Sequence, residues 1–499
     1  MSYPAKDGER WVWWSRRDAV PLLREGLRPA ACWDLAAVHR LLTGRSRDDP
    51  AAIWAWARDL PEPPEPAPIA AKPTLFDADV EPGGPLDVMA AYAVQKRRVL
   101  ELDDPRRDPR QPALRLLTAH AESLAGLLAV ELEHDGLPLD RSVMTELLTG
   151  VIGPRPVDDN HAASQRRARD EVVLRHFPGT TVDLRNPAQV REMLVRVGLD
   201  LPDTRSWRLE PHAASLPAVA SLLAWRKAER IATTYGWSWL DNHVGNDGRL
   251  RGSWSPAEGA GRMAAGGGLH NLPAELRPAV RADAGWVLVR ADLGQVEPRV
   301  LAVVSGDDAL AAAARADDMY APVAAALGCD RPTAKVAVLA AMYGQTSGAA
   351  GAALRDMERA YPRAMSYLRT AEQAGRDGTD IRTYGGRLLR LAHAADDERF
   401  PPSAWGRFAR NAMVQGAAAE LFKAWAGTVR AGLAAAGGQG RIVLCLHDEL
   451  LVHVPKNEAD TAVDVLRTSL DATAHWWAAG SGVRFIADVT VADSWAAAH

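Results

Sequence analysis

Two apolar segments rich in β-branched residues stand far apart in the second half of the chain, and each carries a carboxylate at a strand end. WVLVRAD (286–292) predicts a buried strand, and RIVLCLHDELLVHVP (441–455) predicts a hairpin that turns at His447 and Asp448. The stretch 307–435 between them is mostly helical in pattern. GVRFIADVTVAD (482–493) predicts a further strand. A sheet interrupted by a helical insertion predicts an α+β chain of several domains.

The first half of the chain is predicted to be mainly helical after a short mixed start. WVWW (11–14) favours a strand, and ACWDLAAVHRLL (31–42) favours an amphipathic helix. PEPPEPAP (61–68) holds five prolines, which no helix or internal strand tolerates, so it predicts an extended linker. Apolar spacing over 114–136 predicts a long helix, and 137–245 continues in the same pattern.

Composition limits the class of protein without identifying it. The 499 residues suggest two to four folding units at about 100–200 residues per domain. Three widely spaced cysteines form neither a disulfide framework nor a zinc motif. No apolar run reaches the roughly 18 residues of a membrane span, and no leader pattern is seen, so we expect a cytoplasmic protein with no membrane partner. The net charge of −4 gives no global nucleic-acid signature, although a local groove can still be basic.

Three groups of residues suggest chemistry. Asp292 ends the first strand, and Asp448 and Glu449 lie at the hairpin tip, although an isolated acid at a strand end is more often a turn or a helix cap. RPTAKVAVLAAMYGQ (331–345) predicts a helix whose first turns carry Arg331 and Lys335. Cations there are unfavourable with the helix dipole, so they suggest an anionic ligand. An ordinary amphipathic helix with exposed basic residues is the alternative.

The order of these segments resembles the family A DNA polymerases, the DNA polymerase I-like enzymes. RADLGQVEPRVLAVVSGD (290–307) resembles the first palm motif, RPTAKVAVLAAMYG (331–344) the fingers helix, and LCLHDELLVHVP (444–455) the hairpin motif. Supporting matches stand in family order within roughly 115–499: LLAWRKAERIATTY (222–235), GRM…LHNLP (261–273) and RNAMVQGAAAELFKAW (410–425).

The resemblance implies a right-hand polymerase fold with palm, fingers and thumb, preceded by a small α/β remnant of a 3′–5′ exonuclease. The implied divisions are a degenerate exonuclease-like domain with its proline-rich linker (1–105), a mainly helical thumb region (106–245), the first part of the palm (246–306), the fingers (307–405) and the second part of the palm (406–499).

The implied activity is DNA-templated addition of dNTPs to a primer 3′-hydroxyl. By the resemblance, Asp292, Asp448 and the backbone carbonyl of Leu293 hold two Mg²⁺ ions, with Mn²⁺ as a substitute, and Glu449 is a secondary carboxylate. Two divalent ions can stabilise both the attacking and the leaving oxygen of a phosphoryl transfer. The implied partners are primer-template DNA and dNTPs, the enzyme acts as a monomer, and the role is DNA repair or replication.

The resemblance also assigns the substrate contacts. Lys335 and Arg331 meet the triphosphate, and Glu297 is the steric gate against a ribose 2′-hydroxyl. The remaining nucleotide-site positions are Gln295, Leu339 and Tyr343. The implied DNA contacts are Arg262, Asn411, Gln415 and His447 near the primer terminus, and Arg226 and Arg230 on the thumb.

The chain departs from the family pattern in ways that keep two alternatives open. Leu339 stands where the family usually has an aromatic residue, and the fingers histidine has no clear match, with Met319 or Tyr320 near its place. In the N-terminal region, Asp7 and Glu9 form the nearby Asp-x-Glu, and Asp34 weakly resembles a late exonuclease segment. The alternatives are a polymerase with residual 3′–5′ exonuclease activity and a DNA-binding accessory factor whose catalytic site has decayed.

Overall fold

The structure is a computed structural model that describes residues 10–64, 86–106, 113–344, 349–392 and 400–498. Asp7 and Glu9, the proline-rich segment from residue 65 onward and the predicted break at 107–112 lie outside the described residues. Within the described ranges, none of the helices combines the length and apolarity that a bilayer crossing requires.

The N-terminal part is a small α/β unit. Strands β1 (Trp11–Trp13) and β2 (Cys32–Asp34) pair in parallel. The prediction of a helix over 31–42 is wrong at its start, because Asp34 accepts a hydrogen bond from the Ala37 N–H (2.8 Å) and caps the helix there. The helices of this unit are α1 (Val20–Arg24), α2 (Leu35–Thr43), α3 (Pro50–Ala57) and α4 (Val88–Leu100).

Helix α5 (Leu114–Asp135) is the long helix that the apolar spacing predicted, and it packs against both the N-terminal unit and the C-terminal half. It is buried along most of its length because both of its sides are covered. The helices that follow are α6 (Arg141–Ile152), α7 (Asp159–Leu174), α8 (Pro187–Val195), α9 (Ser206–Leu209), α10 (Pro217–Thr234) and α11 (Trp237–His243). Strand β3 (Leu137–Pro138), between α5 and α6, pairs antiparallel with β4 (Arg249–Leu250), which follows α11. The next two strands, β5 (Trp254–Glu258) and β6 (Arg262–Ala265), form a second antiparallel pair.

Strand β7 (Trp286–Leu293) leads into the helical insertion. The insertion comprises α12 (Val296–Ser305), α13 (Asp308–Ala313), α14 (Tyr320–Leu327), α15 (Arg331–Tyr343), α16 (Ala349–Ala360) and α17 (Pro362–Arg376), followed by the short pair β8 (Ile381–Arg382) and β9 (Leu388–Leu389). Asp330 caps α15 by accepting from the Thr333 N–H (2.9 Å), and Gly344 ends it with a positive φ of 68°.

The chain then returns to complete the sheet. The elements are α18 (Pro402–Ala435), β10 (Arg441–Leu446), β11 (Glu449–Pro455), α19 (Ala459–Trp477) and β12 (Ala487–Ala492). The sheet order is β10-β11-β7-β12, with every neighbouring pair antiparallel. The strand predicted over 482–493 is shorter at its start, because β12 pairs with β7 only from Ala487. The interrupted sheet predicted from the sequence is therefore present, with β7 between strands that are distant in the chain.

Candidate active site

The predicted carboxylates meet at one end of the four-stranded sheet, where β7 finishes and β11 starts, and we term this row of strand ends the sheet edge. Asp292 on β7 lies directly opposite Glu449 on β11 and Asp488 on β12. Opposed residues of antiparallel strands point to the same face. Asp448 belongs to the turn between β10 and β11, and its carbonyl accepts a hydrogen bond from the Leu293 N–H (2.9 Å). The sequence did not single out Asp488, whose position is set by the pairing of β12.

The turn that presents Asp448 is tight. His447 has a φ of +44°, a conformation that side-chain-bearing residues seldom adopt, and it allows a two-residue connection between β10 and β11. Strained backbone of this kind is often found at functional sites. The turn therefore fixes Asp448 beside the end of β7.

Asp292 and Asp448 influence each other electrostatically. Burial, and next to it the negative charge of Asp292, raise the pKa of the Asp448 carboxyl to about 6. A divalent cation would relieve this repulsion, and carboxylate oxygens are ligands that Mg²⁺ prefers. The described residues contain no group of three or more His, Cys, Asp or Glu side chains arranged to enclose a metal. Asp292 and Asp448 thus offer carboxylate oxygens of the kind that Mg²⁺ prefers.

Arg290, which was not among the predicted site residues, contacts two of these acids. Its Nη2 donates to Asp292 Oδ2 (2.7 Å), and its Nε lies 2.9 Å from Glu449 Oε2. Glu449 also accepts a hydrogen bond from the Trp495 indole at Oε1 (2.7 Å). The signal was present in the sequence, because residues two apart on a strand face the same side.

A cavity of about 310 Å³ opens beside Asp448. Glu297, on the first turn of α12, accepts a hydrogen bond from the Tyr343 hydroxyl (3.0 Å) and a short contact from Arg262. Burial and the neighbouring Glu297 raise the pKa of the Tyr343 hydroxyl. The lining contains four of the predicted nucleotide-site residues, Gln295, Glu297, Leu339 and Tyr343. It also contains two predicted DNA contacts, Arg262 and His447, and the predicted metal-binding Asp448.

The first two turns of α15 carry the predicted cations Arg331 and Lys335, but Arg331 is already paired. Its Nε donates to Asp318 Oδ2 (2.5 Å), and Gln295 Nε2 donates to Asp318 Oδ1 (2.9 Å). The hydrogen bond from Arg331 holds the pKa of Asp318 below its usual range. Lys335 is exposed one turn further along the helix. Tyr320, near the place of the missing family histidine, has the Arg331 guanidinium 5.7 Å from its ring centre.

A second cavity, about 450 Å³, adjoins the first through Arg262 and His447. Asn411 and Gln415 of α18 line it, and the buried Asn411 side-chain oxygen has no hydrogen-bond partner among the residues that the structure describes. The ring of His270 stacks on His447 with centres 5.1 Å apart. Burial, then His270, lower the pKa of His447. An unmatched buried acceptor is costly unless a ligand supplies its donor.

The two predicted thumb contacts differ in position. Arg230 donates to the Asn271 carbonyl (2.9 Å), and Asn271 lines the second cavity. Arg226 is half-buried and binds the carbonyl and hydroxyl oxygens of Thr204, so the structure does not bring it among the cavity-lining residues.

Two features away from the sheet edge, the buried Asp34 and a cavity beside α5 and α18, are less suited to binding a metal ion or an anionic ligand. The Asp34 carboxylate is buried and accepts hydrogen bonds from the Trp13 indole (3.1 Å) and the Ala37 N–H. A cavity of about 590 Å³ lies beside α5 and α18, and its Arg430 already pairs with Glu131 (2.7 Å). In these two features the carboxylates of Asp34 and Glu131 are already engaged by other groups of the protein.

Comparison with known proteins gives consistent matches. The family model described as DNA polymerase family A matches residues 160–497. DNA polymerase I of Chloroflexus aurantiacus is 30% identical over 290 residues, which cover 52% of this chain and 30% of that protein. DNA polymerase I of Pseudomonas aeruginosa is 26% identical over 425 residues, which cover 77% of this chain and 44% of that protein. The chain thus aligns with less than half of the length of either relative.

A solved structure shows the same fold. The POL domain of Pol1 from M. smegmatis, in complex with a DNA primer-template and dNTP, superposes with a TM-score of 0.69 at 22% sequence identity. The match covers 96% of this chain and 84% of that one.

Proposed function

Because the chain belongs to DNA polymerase family A, we propose that it is a DNA-templated DNA polymerase that adds dNTPs to the 3′-hydroxyl of a primer. Membership confirms the predicted family resemblance, and the structural likeness confirms the α+β polymerase fold. The observation that carries the proposal is the meeting of Asp292 and Asp448 at the sheet edge, beside a cavity that Glu297 and Tyr343 line. The relatives' name and the DNA and dNTP of the structural neighbour support these substrates.

In this proposal, Asp292, Asp448 and the Leu293 carbonyl hold two Mg²⁺ ions, for which Mn²⁺ can substitute. Such ions supply positive charge to the attacking and leaving oxygens of a phosphoryl transfer. The mutual repulsion of the two aspartates supports the assignment. Glu449 contacts Arg290 and Trp495, so its role is to position these neighbours of the two aspartates.

The cavity and the start of α15 together receive the dNTP. Lys335 and Arg331 attract the triphosphate, which must compete with Asp318 for the Arg331 guanidinium. Glu297, held by Tyr343 and Arg262, forms the wall that meets the sugar. Leu339 and Gln295 complete the lining.

The adjoining cavity receives the end of the primer-template duplex. Asn411 offers a side-chain acceptor to which no described residue donates, and Gln415, His447 and Arg262 line the same space. Arg230 and, further away, Arg226 add sequence-independent attraction for the DNA backbone. Action as a monomer, in the cytoplasm, in DNA repair or replication, completes the proposal and rests on the sequence interpretation.

Primer extension tests the proposal. A labelled primer-template is incubated with Mg²⁺, with and without dNTPs. The proteins compared are the wild type, Asp448→Asn and the control Asp283→Asn, whose residue precedes β7 and pairs with Arg249. Extension by the wild type and the control, but not by Asp448→Asn, is expected. Primer shortening without dNTPs would support residual exonuclease activity. Duplex binding without extension by any protein would support the decayed accessory factor and contradict the proposal.

A further inference from the structure

Arg290 is a buried cation within the carboxylate cluster at the sheet edge. Its side chain is 10% exposed, and it reaches Asp292 through Nη2 and Glu449 through Nε. Asp292, Asp448 and Glu449 place three acidic side chains around the turn, so a positive charge in direct contact offsets part of their repulsion. In the protein without bound ions, Arg290 therefore offsets the carboxylate repulsion that a bound cation could also offset.

Glu449 anchors the arginine independently of Asp292. Its Oε1 is fixed by the buried Trp495 indole, and its Oε2 faces the Arg290 Nε. If Asp292 turned toward another cation, the guanidinium would still have a carboxylate partner. Losing Asp292 would thus not leave Arg290 as an unpaired buried charge, which would be strongly unfavourable.

We propose that Arg290 is the resident counter-cation of this cluster: it holds Asp292 through Oδ2 when no divalent ion is bound, and it yields that oxygen when an ion enters. This inference rests on the metal assignment in the proposed function. Because an oxygen that accepts from a guanidinium at 2.7 Å is less available to a divalent ion, Arg290 competes with ion binding. The same contact stabilises the ion-free protein. Arg290 is a positioning residue in this scheme, because it acts through Asp292.

The test measures Mn²⁺ binding to the full chain without DNA, by electron paramagnetic resonance of free Mn²⁺. Arg290→Met keeps much of the side-chain length and removes the charge. Its Kd for Mn²⁺ is expected to fall on the order of tenfold, because a like charge near the ion is lost. Its Tm in EDTA is expected to fall, and saturating Mn²⁺ is expected to raise that Tm by more than it raises the wild type's.

Arg430→Met is the matched control. Arg430 has a similarly buried side chain, 11% exposed, and pairs with Glu131 far from the sheet edge. It is expected to lose stability in EDTA while keeping the wild-type Kd and the wild-type gain in Tm from Mn²⁺. A purely structural role for Arg290 predicts the same behaviour for Arg290→Met, and that result would overturn the inference.

Arg290→Lys protects the test against a variant that fails to fold. A lysine keeps the charge but cannot contact both carboxylates through a planar fork, so its Kd for Mn²⁺ is expected to fall by a smaller factor. An unchanged or weaker Mn²⁺ affinity in both variants contradicts the inference. Asp448→Asn distinguishes a failure of the metal assignment from a failure of the Arg290 inference alone. If this variant binds Mn²⁺ as the wild type does, the metal assignment is wrong, and so is the proposed competition by Arg290.

Discussion

Tyr343→Phe tests how the wall of the nucleotide cavity is held. The substitution removes the hydroxyl that donates to Glu297 Oε2 at 3.0 Å and leaves the ring in place. A hydrogen bond to a charged group contributes roughly 1.5–3 kcal/mol. Tyr343 is 37% exposed, so water replaces part of the lost bond and about 1 kcal/mol remains. Glu297 keeps its contact with Arg262 and stays in the cavity, but less firmly.

If Glu297 excludes the ribose 2′-hydroxyl, this loss translates into weaker sugar discrimination. About 1 kcal/mol corresponds to roughly a fivefold fall in the ratio of kcat/KM for a dNTP to that for the matching rNTP. The ratio is measured by single-nucleotide incorporation on one primer-template. Glu297→Ala removes the wall and is expected to lower the ratio further. Tyr361→Phe, a buried tyrosine outside the lining of this cavity, is the control and is expected to keep the wild-type ratio.

Two results would refute this reasoning at different points. If Glu297→Ala relaxes discrimination and Tyr343→Phe does not, the hydrogen bond does not hold the wall. If neither variant changes the ratio, sugar selection lies elsewhere in the cavity.

Three further predictions concern single positions. Leu339→Phe is expected to lower KM for the incoming dNTP, because stacking of an aromatic ring on a base contributes about 1–3 kcal/mol. A raised KM would show that the cavity cannot hold the phenyl ring. Lys335→Met is expected to raise KM for dNTPs about tenfold and to leave duplex affinity near the wild-type value, as measured by steady-state kinetics and a binding titration. A loss of duplex affinity with an unchanged KM would show that Lys335 contacts the DNA instead. For Asp34, burial raises the pKa in the folded protein to about 6 from an ordinary 3.8, so its contribution to stability is fully present below pH 3.8 and is lost as the pH rises through about 6. Asp34→Asn is expected to remove this decline, about 3 kcal/mol at most, from chemical unfolding curves at pH 4 to 8, and a decline parallel to that of the wild type would contradict the assignment.

The helix that carries Arg331 and Lys335 could be predicted from local sequence alone. Asp330 and Gly344 are start and stop signals that act within one turn, and α15 begins and ends beside them. Strand β7 and the β10–β11 hairpin were predictable for the same reason, because the spacing of apolar residues and their β-branching are local properties of the sequence. The prediction of a helix over 31–42 was wrong at its start, because the buried Asp34 carboxylate caps the helix later than the apolar pattern indicated.

Partners across the sheet could not be predicted from local pattern. Asp292 faces Glu449 and Asp488 only because β7 lies between β11 and β12. The pairing of Arg331 with Asp318 depends in the same way on how α14 and α15 pack. Arg290 is an intermediate case: alternation places it on the face of Asp292, but its second partner, Glu449, is set by strand order.

The most direct test of the account is the rate of single-dNTP incorporation by Asp292→Asn, measured at a protein concentration that saturates the labelled primer-template. Asn keeps the size of the side chain and removes its charge, and the duplex affinity is measured in parallel. If Asp292 and Asp448 hold the metal ions, duplex binding is expected to persist while the incorporation rate falls by at least about a thousandfold, because one of the two carboxylates is lost. Incorporation near the wild-type rate would contradict the assignment of Asp292 and, with it, the catalytic site described here.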